Sequence, residues 1–384
     1  MLAKNSTHRN CEVAVRTPAR SPQDEALFLD AARPYWHPIA RSADVGSGEV
    51  VGVRLLDEDL ALWRSADGTL GLTDDLCAHR GTMLSAGGTV TDEGCIRCPY
   101  HAWEYDAEGQ CLRIPQVANQ ALAEKVRIAA YRVVDYAGLV WTCLAQEGEE
   151  RRGIPVVPEA TNPDWWLYAG APPTWQCQAP RMVENFLDIA HFGVLHSGNF
   201  GNPDIEIVDP YRPVTNMEDF SITFNFPYLT RDRWSPPIDG RPATRFVDYE
   251  YRAELPFACW IKGAGKDDIG YYTYIAVCPV SAQETKIFWV TSFPNSLVYT
   301  GPELDAGFIP FFEEDQRVVE WQRPEWLPLG LGAELQMTFD RIAVAYRTSL
   351  ADLGFPVLHF PRTRLSQTAA SKVKGPTSAA EEMS

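Results

Sequence analysis

Short runs in which apolar and polar residues alternate, separated by turn residues, extend over residues 36–144. Alternation with a period of two is typical of half-buried strands, and the runs at 50–56 and 60–63 are rich in branched apolar residues. The sequences SADG at 65–68 and DAEG at 106–109 are typical of turns between such strands. No long run with a helical period interrupts them, so this part predicts a small all-β domain.

A mixed pattern follows from about residue 159 onwards. Apolar residues recur with a helical period in three stretches, at 182–196, 311–322 and 334–350. Strand-like patterns occur in four others, at 220–226, 246–255, 271–280 and 286–293. We therefore predict an α+β domain in which helices pack on one antiparallel sheet.

These patterns divide the chain into two domains with a polar tail at each end. We predict a disordered tail at 1–25, an all-β domain at 26–146, a charged and proline-containing linker at 147–158, an α+β domain at 159–364 and a second disordered tail at 365–384. The first tail is basic, so an organelle-targeting segment is the alternative interpretation for it.

The charge balance and the cysteine count narrow the possible partners. The chain of 384 residues has a formal net charge of −17, and such a surface repels the phosphates of nucleic acid. It has neither a transmembrane run of about 18 apolar residues nor a secretion signal at its start, so we expect no membrane partner and a cytoplasmic location. Nine cysteines, an odd number, argue against a disulfide framework and make clustered Cys and His residues candidate metal ligands.

The first candidate metal site lies in the all-β part and consists of Cys77, His79, Cys98 and His101. Two motifs, each with one thiol and one imidazole, are separated by 18 residues. A Rieske [2Fe–2S] cluster needs these ligands, because two cysteines hold one iron and two histidines hold the other. The alternatives are a zinc ion held by three cysteines, including Cys95, and one histidine, or ordinary core residues.

The stretch CAHRG, followed by CPYHAWEYDAEGQC, resembles the Rieske domain of the ring-hydroxylating oxygenase family. The spacing between the two motifs is slightly longer than is usual in that family. The sequence RIPQ at 113–116 resembles the pheophorbide a oxygenase and vanillate O-demethylase branch. The resemblance implies that Cys77, His79, Cys98 and His101 are the cluster ligands.

A second candidate site contains His191 and His196 in the predicted helix at 182–196. Two histidines and one carboxylate form the facial triad of non-haem Fe(II) oxygenases. Residues five apart on a straight helix point about 140° apart, so these two converge only if the helix bulges or breaks, which Gly193 favours. An amphipathic helix with two surface histidines is the alternative. The segment resembles the D-x2-H-x4-H iron motif of the same family, which implies that His191 and His196 bind iron and that Asp188 links the two metal sites.

The third ligand has to come from a distant part of the chain, and Asp340 is the first candidate. It lies in the predicted helix at 334–350, and an acid embedded in an apolar helix face needs a partner such as a metal. The residues that suggest this apolar face are Leu335, Phe339, Ile342 and Tyr346. The segment from Phe339 to Arg347 also resembles the family's late D…YR element. Glu334 and Asp315 are the alternatives, and an ordinary salt bridge is the other interpretation of each acid.

The resemblance implies a terminal oxygenase that oxidises a small organic molecule, aromatic or polycyclic, with O₂. Electrons from NAD(P)H would arrive through a ferredoxin or flavin reductase and pass from His101 through Asp188 to mononuclear Fe(II). The branch favours monooxygenation, either hydroxylation or oxidative demethylation, and arene dihydroxylation or oxidative cyclisation is the alternative. An electron-transfer protein and a zinc-stabilised binding protein are the non-enzyme alternatives. The family further implies a head-to-tail homotrimer, in which Asp188 meets a neighbour's His101.

Overall fold

The computed structural model describes residues 21–232, 236–264 and 269–358. Its N-terminal part is built from ten short strands, β1 (His37–Arg41), β2 (Val50–Leu55), β3 (Glu58–Arg64), β4 (Leu70–Asp74), β5 (Thr89–Val90), β6 (Ile96–Arg97), β7 (Glu104–Tyr105), β8 (Cys111–Arg113), β9 (Arg132–Tyr136) and β10 (Leu139–Cys143). They form three antiparallel sheets, with strand orders β1-β10-β9, β2-β3-β4 and β5-β6-β7-β8. Two 3₁₀ helices, Ser42–Asp44 and Gln120–Lys125, lie between these strands.

The C-terminal part is one eight-stranded antiparallel sheet with helices packed on it. Its strands are β11 (Trp165–Ala169), β12 (Thr174–Trp175), β13 (Val214–Asn216), β14 (Ser221–Arg231), β15 (Thr244–Glu254), β16 (Ala258–Ala264), β17 (Gly270–Pro279) and β18 (Thr285–Pro294). The order is β11-β18-β17-β16-β15-β14-β13, and β12 also pairs with β18. The α-helices within the described residues are α1 (Pro22–Ala32), α2 (Ala179–Leu187), α3 (Phe192–Leu195), α4 (Gly301–Val319) and α5 (Arg341–Asp352). This arrangement confirms the predicted α+β class.

The four predicted strands of the large sheet are present as β14, β15, β17 and β18. The boundaries of the predicted helices agree less well with the structure. The stretch at 182–196 is two helices with a break between them, α4 begins about ten residues before the predicted start, and α5 begins seven residues after it. Thr300 explains the early start of α4, because its side chain and that of Glu303 form a capping box and Pro302 follows at the first turn.

The predicted disordered tail at 1–25 extends too far. Ser21 and Asp24 form a capping box, Pro22 stands in the first turn of α1, and Phe28 is buried in the core. The rest of that tail, residues 1–20, and the predicted tail at 365–384 lie outside the described residues. No helix of the described ranges is long and apolar enough to cross a membrane.

Buried ion pairs join α2 to α5. Arg347 donates to both carboxylate oxygens of Glu184 at 2.6 Å and to Glu334 at 2.6 Å, and Arg181 donates to Glu334 at 2.8 Å. Such charges are stable inside a protein only when they are paired and hydrogen-bonded, as they are here. The network therefore fixes the C-terminal turn of α2, from which the chain enters the second candidate site.

Candidate metal centres and active-site cavity

The first candidate centre lies where two loops of the N-terminal part face each other. Cys77 and His79 follow β4, and Cys98 and His101 lie between β6 and β7. The Sγ atoms of the two cysteines are buried and close together, and the Nδ1 atoms of the two histidines lie 3.1 Å apart near the surface. Each loop thus contributes one thiol and one imidazole, in the arrangement that the sequence predicted.

The four side chains form a thiol pair and an imidazole pair, not one cluster around a point. Within the described residues, the single group of three or more possible ligand atoms within 4.8 Å of one another lies elsewhere, and it includes neither Cys95 nor any other cysteine. A structural zinc ion gathers four ligands around itself, whereas a Rieske cluster separates its two thiolates from its two imidazoles. The geometry therefore fits [2Fe–2S] and argues against zinc.

Three further side chains hold these loops. Trp103 stacks on His79 with ring centres 4.7 Å apart, and the Tyr105 hydroxyl lies 3.2 Å from the Sγ of Cys77. Gln116, the last residue of the RIPQ sequence, donates to the backbone carbonyl of His101 at 2.8 Å. Contacts of this kind orient metal ligands and adjust the potential of the cluster.

The second candidate centre begins at the break between α2 and α3. Asp188 has an extended backbone, with φ −73° and ψ 133°, so the helix cannot continue through it. His191 and His196 flank the single turn of α3, and their Nε2 atoms lie 3.2 Å apart. The predicted break therefore lies before His191, not between the two histidines. Gly193 has a packing role, because a Cβ there would lie 2.9 Å from the carbonyl oxygen of Asn202.

Asp315 on α4 completes this group. Its Oδ1 lies 3.3 Å from the Nε2 of His196 and 3.6 Å from the Nε2 of His191. That oxygen is buried and has no hydrogen-bond partner. Three metal-binding atoms, one from each of these residues, thus lie within 4.8 Å of one another.

The outer nitrogens of the two histidines indicate what this group binds. The Nδ1 of His191 lies 2.8 Å from Asp188, and the Nδ1 of His196 lies 2.7 Å from Glu314. Each Nδ1 is therefore the donor to its carboxylate, which leaves each Nε2 available to present an electron pair to a metal beside Asp315. Two electron pairs and one carboxylate oxygen repel each other unless a cation lies between them. A divalent iron fits this donor set, and two histidines with one carboxylate form the facial triad of non-haem iron oxygenases.

The structure does not bring Asp340 to this group, so we replace it with Asp315, which the sequence offered only as an alternative. Asp340 precedes α5, and its side chain accepts a hydrogen bond from the backbone N–H of Met337 at 2.6 Å. The expected apolar face is present only in part, because Ile342 and Tyr346 are buried on α5, whereas Leu335 and Phe339 are exposed and lie before the helix begins. Glu334, the other alternative, is held in ion pairs by Arg181 and Arg347.

A pattern in α4 would have identified Asp315. Phe308, Phe311, Phe312 and Asp315 follow one another at spacings that place them on one face of a helix, and all four line the same cavity. An acid in line with three aromatic residues requires a partner. Glu314 was not anticipated at all, because nothing in the sequence pairs it with His196, 118 positions away.

The pairing of carboxylates with histidines at this site shifts the pKa of Asp188 and that of His196. Burial acts to raise the pKa of Asp188, but hydrogen bonds and charge from His191 and two backbone N–H groups outweigh burial and lower it. Burial acts to lower the pKa of His196, but Asp315 and Glu314 outweigh it and raise that pKa. The site therefore favours positive charge at its centre.

A cavity of about 160 Å³ opens directly on the three candidate ligands. Its wall beside them is aromatic and consists of Phe186, Phe192, Phe200, Phe308, Phe311 and Phe312. Tyr249, Tyr251, Thr273 and Ile275, from the sheet, form the opposite wall. The aromatic residues of the sheet differ in position, because Tyr249 and Tyr251 line the cavity, whereas Phe288 and Trp289 are core residues.

Comparisons with known proteins match this geometry. Residues 35–132 match the Rieske [2Fe-2S] domain, and residues 175–354 match the vanillate O-demethylase oxygenase C-terminal domain. Methylxanthine N1-demethylase NdmA of Pseudomonas putida is 28% identical over 340 residues, which cover 86% of this chain and 90% of that protein. The 5,5'-dehydrodivanillate O-demethylase oxygenase subunit of Sphingobium sp. is 30% identical over 231 residues, 56% of this chain and 49% of that protein. The structure of P. putida CBB5 NdmA with caffeine has a TM-score of 0.74 at 25% identity and covers 86% of this chain and 92% of that chain.

A Rieske cluster site and a site of the facial-triad type in one chain define a terminal oxygenase with two metal centres. The chain belongs to the Rieske oxygenases, and its catalytic domain is of the vanillate O-demethylase type. It is an oxidoreductase that uses O₂, a [2Fe–2S] cluster and a mononuclear iron. Its electrons come from a ferredoxin or a reductase, ultimately from NAD(P)H, and its substrates are small molecules.

Replacing Asp315 by Ala should remove the mononuclear iron and leave the cluster intact, because the two sites use different segments of the chain. Iron should fall from about three atoms per chain to about two, with labile sulfide unchanged. Asp340→Ala is the matched control and should keep all the iron. Metal and sulfide analysis of both purified variants measures this, and loss of iron in the control but not in Asp315→Ala would reverse the assignment.

Replacing Glu314 by Ala should weaken iron binding by about 10- to 100-fold, since the His196 ring loses the carboxylate that orients it. Glu314→Gln should weaken it less, because an amide oxygen still accepts the Nδ1 proton. Competition with an Fe(II) chelator measures the affinity, and Glu313→Gln, in the exposed neighbouring position, is the control. Equal iron affinity in Glu314→Ala and the wild type would show that this carboxylate does not position His196.

Proposed function

We propose that this oxygenase removes a methyl group from a nitrogen or oxygen of a small aromatic or heteroaromatic molecule. The observation that carries the proposal is the aromatic-walled cavity that opens on His191, His196 and Asp315. Its volume of about 160 Å³ suits a ring-sized molecule, since an apolar protein cavity of roughly 150 Å³ can hold benzene. Relatives that are an N1-demethylase and an O-demethylase support the same reaction.

The proposed reaction is a monooxygenation at the methyl carbon. One C–H bond becomes C–OH, and the resulting hydroxymethyl group leaves as formaldehyde, so that the nitrogen or oxygen keeps a hydrogen. One O₂, two electrons and two protons are consumed for each methyl group, and the second oxygen atom becomes water. The bound iron would supply the O₂ activation, and the protein supplies orientation and the exclusion of water.

The side chains of the cavity would orient the substrate and exclude water. Phe192 and Phe200 contact each other with ring centres 4.8 Å apart, and Phe311 lies 5.5 Å from the ring of His196. Aromatic rings on this side pack against a flat substrate and leave little room for water beside the metal ligands. Hydroxylation without demethylation, arene dihydroxylation and cyclisation remain the alternatives that the products distinguish.

We further propose that electrons enter from a neighbouring copy of the chain in a head-to-tail trimer, with Asp188 as the bridge. One oxygen of Asp188 is bonded to His191, yet a third of its side chain is exposed, so a second imidazole can reach it. His101 lies at the surface of its loop beside Tyr100, of which 64% is exposed. Among the described residues no hydrogen bond joins these two regions within one chain, which supports a contact between chains. A heterologous contact of this kind closes into a ring.

Incubation of the enzyme with a reductase, NADH and methoxy- or N-methyl-substituted aromatic compounds should release formaldehyde. The proposed balance predicts one formaldehyde for each O₂ consumed and for each demethylated product. An O₂ electrode, a colorimetric formaldehyde assay and mass spectrometry of the product measure the three quantities. Asp315→Ala is the inactive control, and a dihydroxylated product with no formaldehyde would replace demethylation by the alternative reaction.

Replacing Asp188 by Asn should leave both metals bound but slow the transfer of electrons from cluster to iron by about tenfold or more, because the amide is a neutral and weaker partner for both imidazoles. Rapid mixing of the reduced enzyme with O₂ and substrate, while following oxidation of the cluster, measures the rate. Asp340→Asn is the control, because it makes the same change at a carboxylate close enough to Asp188 that burial and the charge of Asp188 both raise its pKa. A fully active monomer, or wild-type rates in Asp188→Asn, would exclude the bridge.

A further inference from the structure

A row of aromatic rings leads from the candidate iron site towards the surface of the catalytic domain. It begins at Phe311, whose ring centre lies 5.5 Å from that of His196, and continues to Phe308, 6.3 Å from Phe311. Trp289 follows at 5.2 Å from Phe308, and Tyr168 at 5.8 Å from Trp289. These four side chains are called the ring row below. Since Tyr168 is only half-buried, the row connects a metal ligand with a side chain that solvent reaches.

Helix α4 sets the length of the ring row. Asp305, Phe308, Phe311 and Asp315 follow one another at intervals of three or four residues, so they lie along one side of the helix. Asp305 and Asp315 are separated by roughly 15 Å along the helix axis, at a rise of about 1.5 Å per residue. The same helix therefore carries a candidate iron ligand and, about three turns earlier, the acid that pairs with Tyr168.

Two members of the ring row can lose an electron to a strong oxidant, because indole and phenol rings are oxidised far more easily than the ring of phenylalanine. The indole N–H of Trp289 donates to the backbone carbonyl of Ala171 at 3.0 Å, and a carbonyl is too weak a base to keep that proton. The hydroxyl of Tyr168 donates to the carboxylate of Asp305 at 2.9 Å, a distance at which a positioned base can accept a proton. Loss of an electron is therefore best stabilised at Tyr168.

The carboxylate of Asp305 is suited to receive this proton. Its second oxygen, Oδ1, is buried and has no hydrogen-bond partner among the described residues. A buried, charged oxygen without a partner is unfavourable, so protonation of the carboxylate reduces that cost.

Two tyrosines of the cavity wall lack such a base. The hydroxyl of Tyr251 is buried and has no hydrogen-bond partner within the described part of the chain. Tyr249 is hydrogen-bonded to the hydroxyl of Thr230, which is a far weaker base than a carboxylate. Tyr168 is therefore favoured over both as the side chain that is finally oxidised, although it lies outside the described cavity wall.

We propose that the ring row protects the active site by carrying oxidising power away from the iron when no substrate consumes it. Tyr168 loses one electron through Trp289, and this electron reduces the oxidised iron site. The O–H bond of Tyr168 breaks, its proton binds to Asp305, and a neutral tyrosyl radical remains. A small reductant from solution, such as a thiol or ascorbate, then returns one electron while Asp305 returns the proton. This role is independent of the proposed demethylation, because it requires only that O₂ is activated at the iron.

The test uses the metal-loaded enzyme without substrate, either reduced by a reductase and NADH and mixed with O₂, or mixed directly with hydrogen peroxide. EPR spectroscopy of freeze-quenched samples detects the radical, and ring-deuterated tyrosine narrows the signal if a tyrosine carries it. The wild type should form a tyrosyl radical. Tyr168→Phe should lose it because the phenol is absent, and Asp305→Asn should lose it because an amide cannot take the proton.

Tyr272→Phe is the matched control, since Tyr272 also packs against a tryptophan, Trp260, with ring centres 5.4 Å apart, but belongs to neither the ring row nor the described cavity wall. This variant should keep the radical. Tyr168→Phe should retain the iron, the cluster and the initial rate of substrate oxidation, because Tyr168 contacts neither metal site nor the described cavity wall.

Peptide mass spectrometry gives a second measurement. After repeated reaction with O₂ in the absence of substrate, Tyr168→Phe should carry more added oxygen on Phe308, Phe311 and Trp289 than the wild type or Tyr272→Phe, because the oxidising power stays near the iron. The protective role is overturned if the wild type forms no tyrosyl radical, if Tyr168→Phe keeps it, or if Tyr272→Phe loses it. Equal oxidation of the three side chains in Tyr168→Phe and the wild type would overturn it as well.

Discussion

The hydrogen bond between Asp188 and His191 connects most features of the catalytic domain. Asp188 occupies the break after α2, and its carboxylate binds the Nδ1 of His191 at 2.8 Å and the backbone N–H of Ala190 at 3.1 Å. The break allows α3 to carry both histidines to one point, and the bond leaves the Nε2 of His191 free for a metal. A third of the same side chain is exposed, which is the part that the proposed contact with another chain would use.

Negative charge around this bond sets a second constraint. Asp188, Glu314 and Asp315 all lie against two histidines, in a chain whose formal net charge is already −17. Carboxylates so close together repel one another unless positive charge lies between them. A divalent cation bound to the inner nitrogens would reduce this repulsion. The buried ion pairs of Arg347 and Arg181 with Glu184 and Glu334 hold α2 in place behind the site. The folding of this region and its metal binding are therefore linked.

The parts of the site that depend on local sequence were predictable, and the parts that depend on distant packing were not. Cys77 with His79, and Cys98 with His101, lie in short loops, so their spacing alone indicates the chemistry. The third iron ligand comes from α4, and choosing between Asp315 and Asp340 required the true helix boundaries, which capping residues decide. β16 was missed because its sequence, ACWIKGA, does not alternate regularly, and its neighbours in the sheet determine its conformation.

The most direct test of the account is a crystal structure of the metal-loaded enzyme, with anomalous scattering measured at the iron edge. Two adjacent iron peaks are expected between the loops of Cys77–His79 and Cys98–His101, and a separate iron should be bound by the Nε2 atoms of His191 and His196 and by the carboxylate of Asp315. An iron bound by Asp340 would contradict the assignment of the triad. A single zinc between the cysteine loops would contradict the account as a whole.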